Sequence, residues 1–214
     1  FQGLIVALLA NSNLIQPFIS FGFQHTLIKY FSDCKTDVER DRLLWFAILF
    51  PILILAFILP LYGFYNEEIF EFLSNGNKSV LRFPILILSV AVATAYFEIF
   101  FSWLRVHLKS VFGNFLKEVY PRMLTLILLV LYAIEFIDLD QFIVYLIAGY
   151  YLRLLIIITY CFKVHTPSFQ CKLPDGWQSM LRYSSLIFLS GAAASFNQSA
   201  CLDTEWNHYS QSKW

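Results

Sequence analysis

The sequence predicts an all-α integral membrane protein, a polytopic helix bundle with about six transmembrane helices. Three observations carry that prediction. Apolar runs of about 20 residues recur along the chain, the length needed to cross some 30 Å of hydrocarbon. Hydrophobic residues make up 58% of the 214 residues and charged ones only 14%, against roughly 25% charged in soluble domains. The Lys and Arg residues are sorted onto alternate connections, as they are when one set of loops stays in the cytoplasm.

The first span is placed at 3–31. Its middle carries Asn11, Asn13, Gln16 and Pro17, followed by Gly22, Gln24 and His25. Amides in lipid need partners, so this face turns towards other helices or a wet cavity. Helix packing accounts for any one amide; the cluster as a whole favours a cavity. Pro17 removes a backbone donor and is expected to kink the helix. The loop from Lys29 to Arg42 holds four acids and four bases, and orientation follows the bases. The second span, 43–65, is apolar all round apart from Pro51 and Pro60, the pattern of a lipid-exposed helix. In the loop that follows, Asn77-Lys78-Ser79 fits the N-glycosylation acceptor pattern.

The third span, 83–104, contains Glu98, a carboxylate in an otherwise apolar run. Glu98 and Arg105 stand two turns apart and hence on one helix face. A basic turn with Arg105, His107, Lys109, Lys117 and Arg122 leads into the fourth span, 119–136. Its exit loop holds Glu135, Asp138 and Asp140 and no base. The fifth span, 142–162, carries Arg153 near its middle, and a basic, Pro-containing stretch leads to a sixth run, 183–196. Residues 197–214 form a polar tail. One set of connections holds eleven Lys and Arg residues and the other only Lys78 and Arg82. With loops this short, the eleven mark the cytoplasmic side.

Net charge is zero and the pI about 7.1, so no global charge points to nucleic acid. The four cysteines lack CxxC spacing or a neighbouring His. Three of them, Cys34, Cys161 and Cys171, lie in or beside cytoplasmic loops, where thiols stay reduced. Phe1 opens in an apolar run without a basic leader, so no cleavable signal is expected and the chain is expected to begin inside a longer protein. The 23 Phe residues are expected chiefly as lipid-facing bulk and interfacial anchors.

Within the first span, Gly3-Leu4 opens the run, Pro17 sits mid-helix, and Phe21-Gly22-Phe23 precedes Thr26-Leu27-Ile28-Lys29-Tyr30-Phe31-Ser32. This resembles the second transmembrane helix of the polysaccharide and O-antigen flippases of the multidrug/oligosaccharidyl-lipid/polysaccharide transporter superfamily. Arg105 to Gly113 is similar to that family's basic turn after the fourth helix, and Tyr183 to Ser195 to the start of its seventh. The resemblance covers most of residues 1–196 and implies helices two to seven, the first bundle of a two-bundle transporter in the inner or plasma membrane. It departs after Phe196, where a polar sequence replaces an apolar helix, as a truncated or frame-shifted chain would show.

The resemblance implies the flipping or export of a lipid-linked oligosaccharide, with membrane lipids and other polysaccharide-assembly membrane proteins as partners. Such work needs a polar cavity, and cations in it match phosphate oxygens. Arg153 is the foremost candidate, since an Arg facing lipid there costs roughly 2.5–3.5 kcal/mol. Glu98 is its counter-charge or a proton acceptor, and Asn11, Asn13, Gln16 and His25 complete the expected substrate-binding set. The competing expectation is a Glu98–Arg153 ion pair that only locks two helices together. Two other functions stay open: a drug or cation antiporter of the same superfamily, and a non-transporting membrane helper. No cofactor, metal or catalytic residue is expected, because no GxSxG, HExxH or phosphate loop occurs. The longest outer loop, Asn66 to Arg82, is too short to form the catalytic domain of a polymerase.

Overall fold

The computed structural model describes residues 9, 12–13, 15–64, 84–168 and 172–191, with backbone alone at 57–59, 61–64 and 84–86. Every regular element among them is helical. In chain order these are α1 (residues 15–20), α2 (Phe23–Phe31), α3 (Asp37–Phe64), α4 (Pro84–Val106), α5 (Ser110–Ala133), α6 (Leu139–Val164) and α7 (residues 177–191). Asn11, the glycosylation pattern at 77–79, Cys171, Cys201 and the polar tail lie outside the described residues.

The helices follow the apolar runs, with four shifts that have physical causes. The first span is not one helix. It breaks at Phe21 and Gly22, whose φ values are 46° and 73°, while Pro17 sits inside α1 and leaves its carbonyl to the Phe21 amide. Only glycine visits that left-handed region without strain, so the break follows Gly22 rather than the proline. α3 begins at Asp37, because Asp37 and Glu39 in its first turn suit the helix dipole. α5 begins at Ser110, nine residues before the expected span, and so takes Lys117, Glu118 and Arg122 into helix. α7 likewise starts at 177, earlier than the apolar run that marked it. α6 starts where the sequence signals it, at a capping box between Asp138 and Gln141.

α4 is the central element and packs against α2, α3, α5 and α6. Its side chains Phe97, Ile99, Phe100, Phe101, Trp103 and Leu104 join Phe23, Leu27, Leu44 and Ile157 in the main core. Aromatic residues therefore do more than coat the outside: Phe23, Phe97, Trp103 and Phe142 are fully buried. Among the described residues, two helices are long and apolar enough to cross a membrane, at Ile87–Val106 and Leu139–Val164, and the six expected spans are not all matched by this measure. α5 has the length, but its three charges fall within one lipid-length window. The outward faces of the bundle remain apolar. Leu49 and Leu53 of α3, Met123 and Leu126 of α5, Leu152 and Leu155 of α6, and Leu186 and Leu189 of α7 are each about half exposed.

α7 is fastened to the α1–α2 break. The Thr26 and Ser184 hydroxyls share a 2.5 Å hydrogen bond, Phe188 stacks on Phe21, and Lys29 Nζ lies 3.8 Å above the Tyr183 ring. A Cβ on Gly22 would come within 3.1 Å of both Ile187 and the Ser184 carbonyl. Gly22 thus answers two demands, the left-handed backbone and the close approach of α7.

Candidate functional site

The break between α1 and α2 leaves amides from both segments facing one space. Gln16 comes from α1, Gln24 and His25 from α2; Glu98, Ser102 and Arg105 come from α4, and Lys117 from α5. Together with Ile28 they enclose a cavity of about 240 Å³, well above the roughly 10–15 Å³ that admits one water. The cavity is polar because most of its lining side chains carry donors or acceptors, and Gln24 Oε1 is buried there without a hydrogen-bond partner among the described residues.

Its electrostatic centre is Glu98. Lys117 Nζ lies 2.9 Å from each carboxylate oxygen, and the Glu98 side chain is only 16% exposed. The Phe101 ring lies 5.1 Å from Lys117 Nζ and 5.7 Å from the Arg105 guanidinium, so one aromatic ring attracts both cations. Two fixed cations against one carboxylate leave the cavity with a positive excess. Glu98 and Arg105 share a wall, as their spacing predicts. Gln16, His25 and Glu98 from the expected set meet here, joined by Gln24, Ser102, Arg105 and Lys117. Gln24 belongs to the polar cluster already visible in the first span, Ser102 carried no such signal, and Arg105 and Lys117 stood out chiefly as orientation signals. Asn13 is exposed and does not line the cavity.

Arg153 lies elsewhere. Its guanidinium stacks 3.5 Å above Phe97 and 5.8 Å from Tyr150, with the residue only 4% exposed. Among the described residues its buried Nε has no partner and Arg153 forms no ion pair. The expected Glu98–Arg153 lock is therefore not formed. Adjacent residues on a helix diverge by about 100°: Phe97 turns to α6 and Arg153, while Glu98 turns to α5 and Lys117.

A second cluster ties the elements together at the basic end. Asp41, at the start of α3, accepts hydrogen bonds from Ser168 N (2.8 Å) and Ser168 Oγ (2.7 Å), and pairs with His165 Nε2 at 2.7 Å. Trp45 Nε1 donates to the Ser168 carbonyl. His107, in the α4–α5 turn, stacks on His165 with ring centres 5.6 Å apart and meets Trp103 edge-on. Burial alone would raise the Asp41 carboxyl, but the Ser168 side chain, His165 and the Ser168 amide outweigh it and hold the group below its usual value. Burial, then the nearby His165 and Arg40, hold His107 below the ordinary histidine value, with Asp37 acting weakly against them. More than a hundred residues separate Asp41 from its partners, so no local pattern announces this clasp.

Comparison with protein-family models, with curated proteins and with solved structures finds no match for this chain.

Proposed function

We propose that this chain is part of a multi-pass transporter of the cell membrane that flips or exports a lipid-linked oligosaccharide. In this reading the basic turn between α4 and α5 faces the cytoplasm, and α1–α2 and α3–α7 cross the bilayer. The observation that carries it is the polar cavity enclosed by α1, α2, α4 and α5 inside a bundle with apolar outward faces. Wet, charged space inside a membrane bundle is costly, and ionisable groups there mark a transport path. The lining suits the head group. Arg105 and Lys117 offer charged donors to phosphate oxygens, and Gln16, Gln24, Ser102 and His25 offer the neutral hydrogen bonds that sugar hydroxyls exchange with water. Alternating access between this bundle and a second one would carry the head group across. Arg153, whose buried Nε has no partner among the described residues, lies outside this cavity.

A drug or cation antiporter of the same superfamily is the other transport reading. It needs a carboxylate free for a cation, and Glu98 is already held by Lys117 within a positive cavity. The test is polysaccharide display in the host cell. Arg105→Gln with Lys117→Gln should lower display at least tenfold while the protein still reaches the membrane. Undiminished display without both cations would remove the cavity from transport.

A further inference from the structure

The clasp at the basic end joins three stretches that lie far apart in the chain. Asp41 and Trp45 come from the start of α3, His107 from the α4–α5 turn, and His165 and Ser168 from the chain just after α6. The helix α3 packs on α2 and α4. Its start is tied to the end of α6 by Asp41, which holds His165 and Ser168, and by Trp45, whose Nε1 donates to the Ser168 carbonyl at 3.1 Å.

Within the clasp two histidines depend on one carboxylate. Their rings stack with centres 5.6 Å apart and planes 21° from parallel. A proton on His165 is neutralised by Asp41, 2.7 Å from its Nε2. A proton on His107 meets no such partner. His107 Nε2 is buried without a hydrogen-bond partner among the described residues, and a protonated imidazole donates from both nitrogens. Trp103 and Phe31 close on the ring edge-on, at 4.6 and 5.2 Å between centres, and bring no carboxylate. The charged and titratable groups that face it are His165 after α6 and Arg40 and Asp37 of α3. Arg40 adds a cation. Asp37 is 76% exposed and already held by Arg40 at 3.0 Å.

We infer that this cluster is a latch worked by protons: one proton, on His165, tightens it, and a second, on His107, opens it and releases the start of α3 from the end of α6. The second charge is relieved when the rings part and His107 Nε2 reaches water. Burial, His165 and Arg40 hold His107 below its ordinary value in the closed form. Opening therefore takes up a proton, and it is favoured as pH falls below about 6.5. In the orientation proposed above, the latch lies on the cytoplasmic side and answers to acid there. Its working does not depend on what the cavity carries.

The experiment uses the full 214-residue chain in phosphatidylcholine nanodiscs, with its four cysteines replaced by alanine. Nitroxide labels go on Val38→Cys and Thr166→Cys, two exposed positions on either side of the clasp, and pulsed electron paramagnetic resonance gives the distance between them. The population of a longer distance should rise at least threefold between pH about 7.5 and 5.5. His107→Gln, which cannot take the proton, should keep the short distance at both pH values, and Asp41→Asn should show the longer one at both. The helical circular dichroism should stay constant throughout. An unchanged distance in the labelled parent at the lower pH would overturn the latch, whether or not the variants fold. The same change in a folded His107→Gln would overturn it too. So would a loss of helical signal alongside the distance change, because the change would then be unfolding.

Discussion

Glu98 and Lys117 provide the most direct check on the cavity. Both contacts are 2.9 Å, and the side chains are 16% and 36% exposed. A hydrogen bond to a charged group contributes about 1.5–3 kcal/mol. A fully exposed pair contributes about 0–1. The half-shielded geometry places the coupling between these limits, at about 1–1.5 kcal/mol. Glu98→Gln, Lys117→Met and the double variant form a cycle that isolates it. Unfolding free energies come from denaturant titration in mixed micelles, followed by tryptophan fluorescence. Lys117→Met should be the most harmful single change, because it strands a largely buried carboxylate. The double variant should recover part of that loss. A coupling below about 0.5 kcal/mol would mean that the pair is a solvated surface contact, and the cavity would lose its electrostatic centre.

Three further outcomes are expected. His107 is held below its ordinary value, so the unfolded chain binds more protons than the folded one between that lowered value and about 6.5. Thermal stability should therefore fall as pH drops from about 7 to 5.5, and His107→Gln should flatten that slope; a full slope in the variant would clear His107 of it. Asp41, lowered from the usual carboxylate range, contributes stability that is present above about pH 4 and lost in stronger acid, and Asp41→Asn should remove this acid loss. In intact cells an impermeant maleimide should label Glu135→Cys but reach Cys34 only after lysis, and the opposite pattern would invert the membrane orientation.

The order of the helices was legible because apolar length and charge sorting are local properties. Positions that depend on one helix's rotation against another were not. Lys117 and Arg122 counted as turn residues because charges usually bound a span. In the fold α5 takes both into helix: Lys117 turns in to Glu98, while Arg122 stays exposed, 3.4 Å from the exposed Glu118. Pro17 drew the expected kink because proline is the familiar helix breaker, yet Phe21-Gly22 was the better signal: a glycine between two phenylalanines, with Ser20 and Gln24 just beyond them. Arg153 and Glu98 each stood out in the sequence as a charge within an apolar run. Which partner each finds depends on the one-residue step between Phe97 and Glu98, which no composition or spacing reveals. The Asp41 clasp was invisible for a different reason, since its partners lie more than a hundred residues away and belong to no motif.

The α4–α5 hairpin explains why a basic turn of this kind also builds a site. Leu108 takes a φ of 58° in the turn, and the helices then run back antiparallel. At Gly113 a Cβ would stand 2.6 Å from the Phe101 ring, so the absence of a side chain sets the distance between the two helices. One turn further along α5 is Lys117, and about one turn back along α4 from Phe101 is Glu98. The ion pair therefore sits directly beyond the closest contact, where the helices are near enough for a lysine to reach both carboxylate oxygens. Gly113→Ala should push Phe101 away at a cost of about 1–3 kcal/mol for overpacking. It should also lower the Glu98–Lys117 coupling measured in the same cycle, although neither charge is altered. If the alanine costs stability but the coupling stays intact, the glycine serves packing alone and the pair does not depend on the hairpin's spacing.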